Sequence, residues 1–480
     1  MKNETDFNFD NSFQKLPVFL HENVVPTPLK EPILIHVTGL KKELGLESLS
    51  DPVLQKWLNG EIRLSNDQTI ATRYAGHQFG VFAGQLGDGR AISLGEILTS
   101  EGKRLEIQTK GSGKTPFSRM GDGKAVIRSS VREYLCSEAM HGLGIPTSRV
   151  LAIIVGEDKV YRETIERSAI IARVFPSNIR FGHFEMCYHY NRKDVLNDLI
   201  EYTRHTFFEG VSVEEMLTQI IDKTAMLMAH WQNAGFCHGV MNTDNMSILG
   251  ISIDYGPFGF LEDTALSHVC NHSDHEGRYA YDSQPSVAAW NLEKLLLCFS
   301  DHLPKESLSN LLNMFSELFH THYQKLCQRK IGLNTLESED YNLFISLLQT
   351  LSSLAIDYTC FFRRLSNYKI NQVDSLSEIW NYYEKSEKLI LWLSLYDQRL
   401  KRELSDDMKR SMEMKSVNPK YVLRNYIAQE VIEEVERGGN EKLKNCLEIL
   451  YSPFAEHPEY ESYSRPTPTE KKNYIVSCSS

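Results

Sequence analysis

Cysteine is scarce and scattered in this chain. The 480 residues carry nine cysteines, an odd number with no CxxC pair. A disulfide scaffold is therefore not expected, and a reducing cytoplasmic setting fits best. No run of about 18 apolar residues occurs, so neither a membrane span nor a membrane partner is expected. The opening MKNETDFNFDNSFQKLP has no apolar stretch and little positive charge, so it reads as neither a signal nor a transit peptide. No repeat at a solenoid period and no low-complexity tract stands out. Positive charge is also short: 52 Lys and Arg face 63 Asp and Glu, a formal charge of −11. A surface of that sign repels nucleic acid, and leaves room only for a small local basic pocket of the kind a phosphate needs.

What is present is globular. Hydrophobic residues make up 41% and charged residues 24%, enough to bury a sizeable core. The length suggests about two to four domains, or one bilobal core with extensions. Residues 1–70 read as an extension packed on the core, with Pro17, Pro26, Pro28 and Pro32 between short apolar runs. Residues 71–185 are glycine-dense, with strand-like runs at Ala91–Ser93, Leu105–Thr109, Val150–Val155 and Ser168–Val174. Between them Ile127, Val131, Leu135 and Ala139 recur at helical spacing, ahead of Gly142, Gly144 and Pro146. Residues 186–320 turn helical. A long helix is expected over Met216–Ala234 with Gly235 as its stop, followed by a loop, a strand and a second loop in CHGVMNTDNMSILGISIDYGPFGFLE. Residues 321–480 read as a structural helical extension with an extended, proline-bearing tail.

Four segments carry chemistry. In GQLGDGR, Gly84–Arg90, the glycines let backbone N–H groups approach phosphate oxygens and Arg90 adds charge, although a plain hairpin turn reads the same way. KGSGKT is not a Walker A loop, because Gln108 stands where that motif needs its first glycine. Lys110 is better read as a strand-end lysine of the kind that pairs with ATP phosphates and a helix glutamate in kinases, with Glu133 as its partner. HGVMNTDN and IDYG follow the kinase order of H-R-D-x-x-x-x-N and D-F-G: Asn245 and Asp254 fall on the two metal-binding positions. Val240 stands where the catalytic aspartate should be and cannot accept a proton, while Asp244 lies beside Asn245. This pattern leaves open a pseudokinase or a changed reaction. Arg173 and Arg180 are spaced so that both could reach one phosphate, or serve as ordinary ion-pair partners.

YAGHQFGVFAGQLGDGRA, GSGKTPFSRMGDGKAVIRSSVREYLCSEAMHGLGIPT and HGVMNTDNMSILGISIDYGPFGFLED resemble the selenoprotein O (YdiU-type) family of protein adenylyltransferases, from about residue 70 onward. The resemblance implies an α+β, protein-kinase-like bilobal fold that binds ATP in the reverse sense. AMP would pass to Ser, Thr or Tyr hydroxyls of partner proteins, with release of pyrophosphate. It further implies Asp244 as proton acceptor, Asn245 and Asp254 as ligands of magnesium (or manganese), and Lys110 on phosphate and paired with Glu133. Gly87, Gly89, Arg90, Asp122 and Gly123 would touch the nucleotide, and Arg173 and Arg180 would hold the deep phosphate. Cys478 stands where members can carry selenocysteine, and Cys270 and Cys478 are read either as a regulatory disulfide or as two unrelated free thiols. UMP transfer from UTP, a protein kinase using Asp244, and a catalytically dead nucleotide-binding scaffold are the alternatives. Val240 weighs against the kinase, and the retained pair Asn245 and Asp254 against the scaffold.

Overall fold

Strands crowd the first part of the chain and helices the rest. The computed structural model describes residues 7, 9–64, 69–472, 474 and 476. β1 (His21–Asn23), β2 (Ile33–Val37) and β3 (Ile70–Thr72) come first, followed by a short hairpin of β4 (His77–Gln78) and β5 (Val81–Phe82). Then come β6 (Ala91–Leu98), β7 (Arg104–Lys110), β8 (Ala125–Val126), β9 (Arg149–Tyr161) and β10 (Ile165–Phe175). One antiparallel sheet runs in the order β1-β3-β6-β7-β10-β9-β2, with β8 paired to β10. Both of its edge strands, β1 and β2, come from the first 40 residues, so this stretch is built into the sheet as well as packed against it.

The strand periodicity decides what each face packs against. In β9 and β10, Ile153, Val155, Ala169 and Ile171 point to one side, while Ala152, Ile154, Ile170 and Ala172 point to the other. The second side is covered by α1 (Leu40–Glu43) and α2 (Asp51–Leu58), through Leu40, Leu54 and Trp57. The first side receives α3 (Ile127–Gly142), whose Ile127, Val131, Leu135 and Ala139 are all buried as their four-residue spacing predicts. Cutting Leu135 back to alanine would cost about 2–5 kcal/mol.

Helices α4 (Phe181–His189), α5 (Lys193–Phe207), α6 (Val213–Ala234), α7 (Gln284–Leu297) and α8 (Lys305–Lys330) follow. The start of α6 is set by a capping box. Ser212 Oγ accepts from Glu215 N, and Glu215 Oε2 accepts from Ser212 N at 2.9 Å. Its end is set by Gly235, whose φ of 68° lets the chain leave in the left-handed conformation.

After α6, the irregular stretch 238–258 is bracketed by a ribbon of β11 (Phe236–Cys237) and β12 (Gly259–Phe260). The strand expected between its two loops does not form. Ser247 and Ser252 make only single bridges, to Arg180 and Thr147, and Gly250 turns the chain at a φ of 62°. No continuous partner edge lies beside it, so apolar alternation alone does not build a ladder there.

More helices fill Asp340–Tyr451, of which Asn425–Glu436 and Glu441–Tyr451 join the core around α3 through Val431 and Leu447. The tail is not extended throughout: 3-10 turns span Pro458–Ser464 and Thr469–Lys471, the first opened by Pro458 with its fixed φ. Among the described residues no helix is long and apolar enough to cross a membrane. The architecture is α+β, a largely antiparallel sheet joined to many helices.

Candidate active site

A cavity of about 780 Å³ opens where the ends of β7 and β10 meet the loops that follow α6. Gly87, Gly89, Arg90, Lys110, Asp122, Gly123, Arg173, Arg180, Asp244, Asn245 and Asp254 all line it. Glu133 stands behind them, buried on α3.

Sheet register explains the cationic floor. Gln108 and Lys110 share one face of β7 because they are two apart, and Arg173 of β10 lies opposite Gln108. Lys110 Nζ donates to Glu133 Oε2 at 2.7 Å and to Asp254 Oδ1 at 3.1 Å. Arg173 spans the same two carboxylates, with Nε 2.5 Å from Glu133 Oε1 and Nη2 2.6 Å from Asp254 Oδ1. Arg180 Nη1 reaches Asp254 Oδ2 at 3.0 Å and the Asp244 carbonyl at 2.9 Å, and its guanidinium lies over the Tyr74 ring. Asn178 Oδ1 fixes the rest of that guanidinium by accepting from Nε and Nη2.

Arg90 is the fourth cation, and its side chain makes no ion pair among the described residues. Lys110, Arg173, Arg180 and Arg90 gather round Glu133 and Asp254, with the buried Asp88 facing Arg180 from the other side, so the floor is dense in cations. Burial would push Asp254 up, yet Arg173, Lys110 and Arg180 together hold it well below the usual carboxylate range. Burial also lowers Lys110, with the repulsion of Arg173 adding to it.

Asp254 holds a φ of 61°, which a non-glycine residue rarely adopts, so its neighbours maintain some strain at this position.

Asp244 sits in a different environment. It lies in the 3-10 turn Thr243–Asn245 and is 7% exposed. Gln78 Nε2, from the β4–β5 hairpin, donates to its Oδ2 at 3.1 Å, while Oδ1 is buried without a hydrogen-bond partner. Burial pushes this carboxyl up to about 7, against smaller opposing effects of Gln78 and Arg180. Asn245 Nδ2 donates to the Val240 carbonyl at 3.1 Å, which orients the amide and leaves its Oδ1 as the atom able to accept or ligate. His238 is buried, stacked on Trp231 with ring centroids 5.0 Å apart and bonded to the Ile253 carbonyl, so it braces the two loops against each other.

The glycine loop is shaped from within. Phe117 fills the space that side chains at Gly87 and Gly89 would take, which brings the segment after KGSGKT down over the loop. Gly123, at a φ of 75°, packs so tightly on Gly113 that an added Cβ would lie 2.2 Å from the Gly113 carbonyl carbon. The Asp122 carboxylate is already engaged by Arg162, whose Nη1 and Nη2 donate to its two oxygens at 2.8 and 2.9 Å. Asp122 therefore presents mainly its backbone to the cavity.

Gln78, Asn178, Tyr74 and Arg162 are contributors that the sequence did not single out. Gln78 and Tyr74 lie inside the YAGHQFG motif, but nothing in its spacing says that the hairpin folds onto the Asp244 loop. The pairing of Cys270 with Cys478 falls partly outside the described residues, since Cys478 lies beyond them. Cys270 is a free thiol that contacts the Cys237 carbonyl at 3.4 Å, and burial pushes it well up. The amide of His272 donates to the Val476 carbonyl at 2.9 Å, which lays the tail against the Cys270 segment.

A basic floor with two dissimilar aspartates beside it could hold a polyphosphate. Residues 4–450 match the family model described as protein adenylyltransferase SelO. The chain is 44% identical over 469 residues to the protein nucleotidyltransferase YdiU of Aeromonas salmonicida, covering 96% of this chain and 97% of that one. Against the same-named protein of Yersinia pseudotuberculosis the identity is 42% over 481 residues, covering 98% and 99%. Against that of Pseudomonas aeruginosa it is 39% over 488 residues, covering both chains fully. The chain belongs to the SelO family of protein adenylyltransferases, and it is a nucleotidyltransferase.

Proposed function

We propose that this enzyme transfers AMP from ATP to a Ser, Thr or Tyr hydroxyl of a partner protein and releases pyrophosphate. The observation that carries the reading is the contrast between the buried cationic floor and the half-satisfied Asp244 on the cavity wall. Residues 71–185 and 186–320 are read as the two lobes of a protein-kinase-like fold, flanked by extensions 1–70 and 321–480. The cavity between sheet and helices supports that division. Arg173, Arg180, Lys110 and Arg90 are assigned to the terminal phosphates, which places the α-phosphate outward, toward Asp244. The carboxylate of Asp244 takes the proton of the attacking hydroxyl. A base raised to about 7 suits proton transfer near neutral pH.

The oxygen donors of Asn245 and Asp254 fit magnesium or manganese, which would supply charge neutralisation on the polyphosphate. Asp254 is bound by three cations here, and polyphosphate oxygens offer those cations an alternative partner that leaves the carboxylate free for a metal. Catalysis on this reading is positioning and charge neutralisation, with little covalent work for the protein. A Cys270–Cys478 disulfide is retained as a redox restraint on the loop after Asp254, supported by the His272–Val476 hydrogen bond. A tryptic mass shift on reduction, lost in Cys478→Ser, would bear it out; no shift under oxidising conditions would remove it.

Intact mass after incubation with ATP and magnesium tests the activity. A gain of one AMP on the enzyme or an added protein, absent in Asp254→Ala, is expected. A gain of one phosphate would make it a kinase, and transfer from UTP in preference to ATP would make it a uridylyltransferase.

A further inference from the structure

Behind the Asp244 loop lies a second set of polar side chains that the nucleotide reading does not use. Glu185 and His189 are four apart on α4, so they share one face of that helix. His77 comes from β4, and its Nδ1 meets Glu185 Oε2. One ligand-type atom from each residue lies within 4.8 Å of the other two. None of the three lines the nucleotide cavity. Glu185 is fully buried, its Oε1 has no hydrogen-bond partner among the described residues, and the Thr243 hydroxyl also acts on the carboxylate. His189 is exposed, which gives a path in from solvent. Phe82 closes one side, its ring 4.1 Å from that of His189, and Trp290 closes another, 5.3 Å from His77.

We propose that His77, Glu185 and His189 form a binding site for one zinc-class divalent transition-metal ion, separate from the nucleotide cleft. Two imidazoles and a carboxylate are the donor set of three-ligand zinc sites that keep a fourth position open, and they disfavour magnesium, which demands octahedral oxygen. The ion replaces the proton shared by His77 and Glu185, and the two donor atoms move apart to the tetrahedral edge of about 3.3 Å. Burial lowers both histidines, which keeps their ring nitrogens available, and pushes Glu185 up to about 7. Lys294 and Arg278 oppose a cation from the His77 side, but both lie over the face of Trp290, and the Glu185 carboxylate offsets them. The consequence for the fold is a clamp. His77 N donates to Thr243 Oγ1 at 2.7 Å, and the adjacent Gln78 donates to Asp244. An ion that fastens the hairpin to α4 thereby fixes the donor that orients Asp244.

The test uses the full chain, stripped with chelator and dialysed against zinc alone, without nucleotide or magnesium. Its outcome is thus independent of the reading of the cleft. Bound metal per chain, zinc affinity and thermal midpoint are compared for the native chain, His189→Ala and His457→Ala. His189 is exposed, so its loss should leave the fold intact. One zinc per chain is expected, with a raised melting temperature and an affinity weakened more than about 10-fold in His189→Ala alone. Cobalt in place of zinc should give a visible absorption band that His189→Ala abolishes. Failure to bind, or undiminished affinity in His189→Ala, overturns the proposal. Loss confined to His457→Ala also overturns it, by moving the metal to the exposed cluster Glu448, His457 and Glu459.

Discussion

Asp244 and Asp254 stand on neighbouring loops of one cavity and are driven in opposite directions. Asp254 keeps about 25% of its side chain exposed to the cavity, and although burial would still push it up, Arg173, Lys110 and Arg180 surround it and keep it ionised. Asp244 is more deeply buried, receives one amide donor, keeps one oxygen without a partner among the described residues, and is pushed up to about 7. Burial alone therefore does not set a role; what neighbours supply does. The strongly ionised group suits a fixed ligand. The group poised near neutrality suits a proton acceptor.

The contrast can be broken from either side. Asp254→Ala should abolish metal-dependent nucleotide transfer. It also leaves Lys110, Arg173 and Arg180 facing one another, which should cost about 3–5 kcal/mol of stability in a denaturant titration. Persistent transfer would show that Asp254 holds no metal. Lys110→Ala comes next. It should weaken ATP binding roughly 10- to 150-fold, as expected for a lost charge-assisted contact, with calorimetry as the check. Unchanged affinity would leave Lys110 as a purely structural partner of Glu133. Gln78→Ala sharpens the Asp244 side: turnover should fall roughly 3- to 10-fold with ATP affinity intact.

Glu106 gives the smallest expected effect on activity and a clean effect on stability. Burial, helped by nearby Glu96, pushes it up to about 8. Its folded pKa lies above its unfolded value, so the native state binds the extra proton. Its stabilising contribution is complete below pH about 4.5 and is lost as pH rises to about 8, by up to about 1.4 kcal/mol per pH unit. Glu106→Gln should flatten the stability profile over that window, with activity unchanged.

How much of this was legible in the sequence depended on distance along the chain. The apolar spacing of α3 and the glycine stop of α6 are local, and they gave both helices to within a few residues. The Lys110–Glu133 pair was legible because a strand end and the next helix are near neighbours in space as well as in sequence. By contrast, Gln78 on Asp244 and Arg173 on Asp254 join distant segments, and no local pattern encodes that closure. Both edge strands of the sheet were hidden for the same reason: β1 and β2 are short, and only their partners define them. The strand expected after Asn245 failed because alternation was present but a partner edge was not.

The most direct test is Asp244→Asn, assayed for AMP transfer and for ATP binding on the same preparation. A fall in turnover of about 10²–10⁴-fold with nearly unchanged ATP affinity is the result expected of a lost proton acceptor. An equal loss of affinity and rate would contradict the division of labour between the two aspartates.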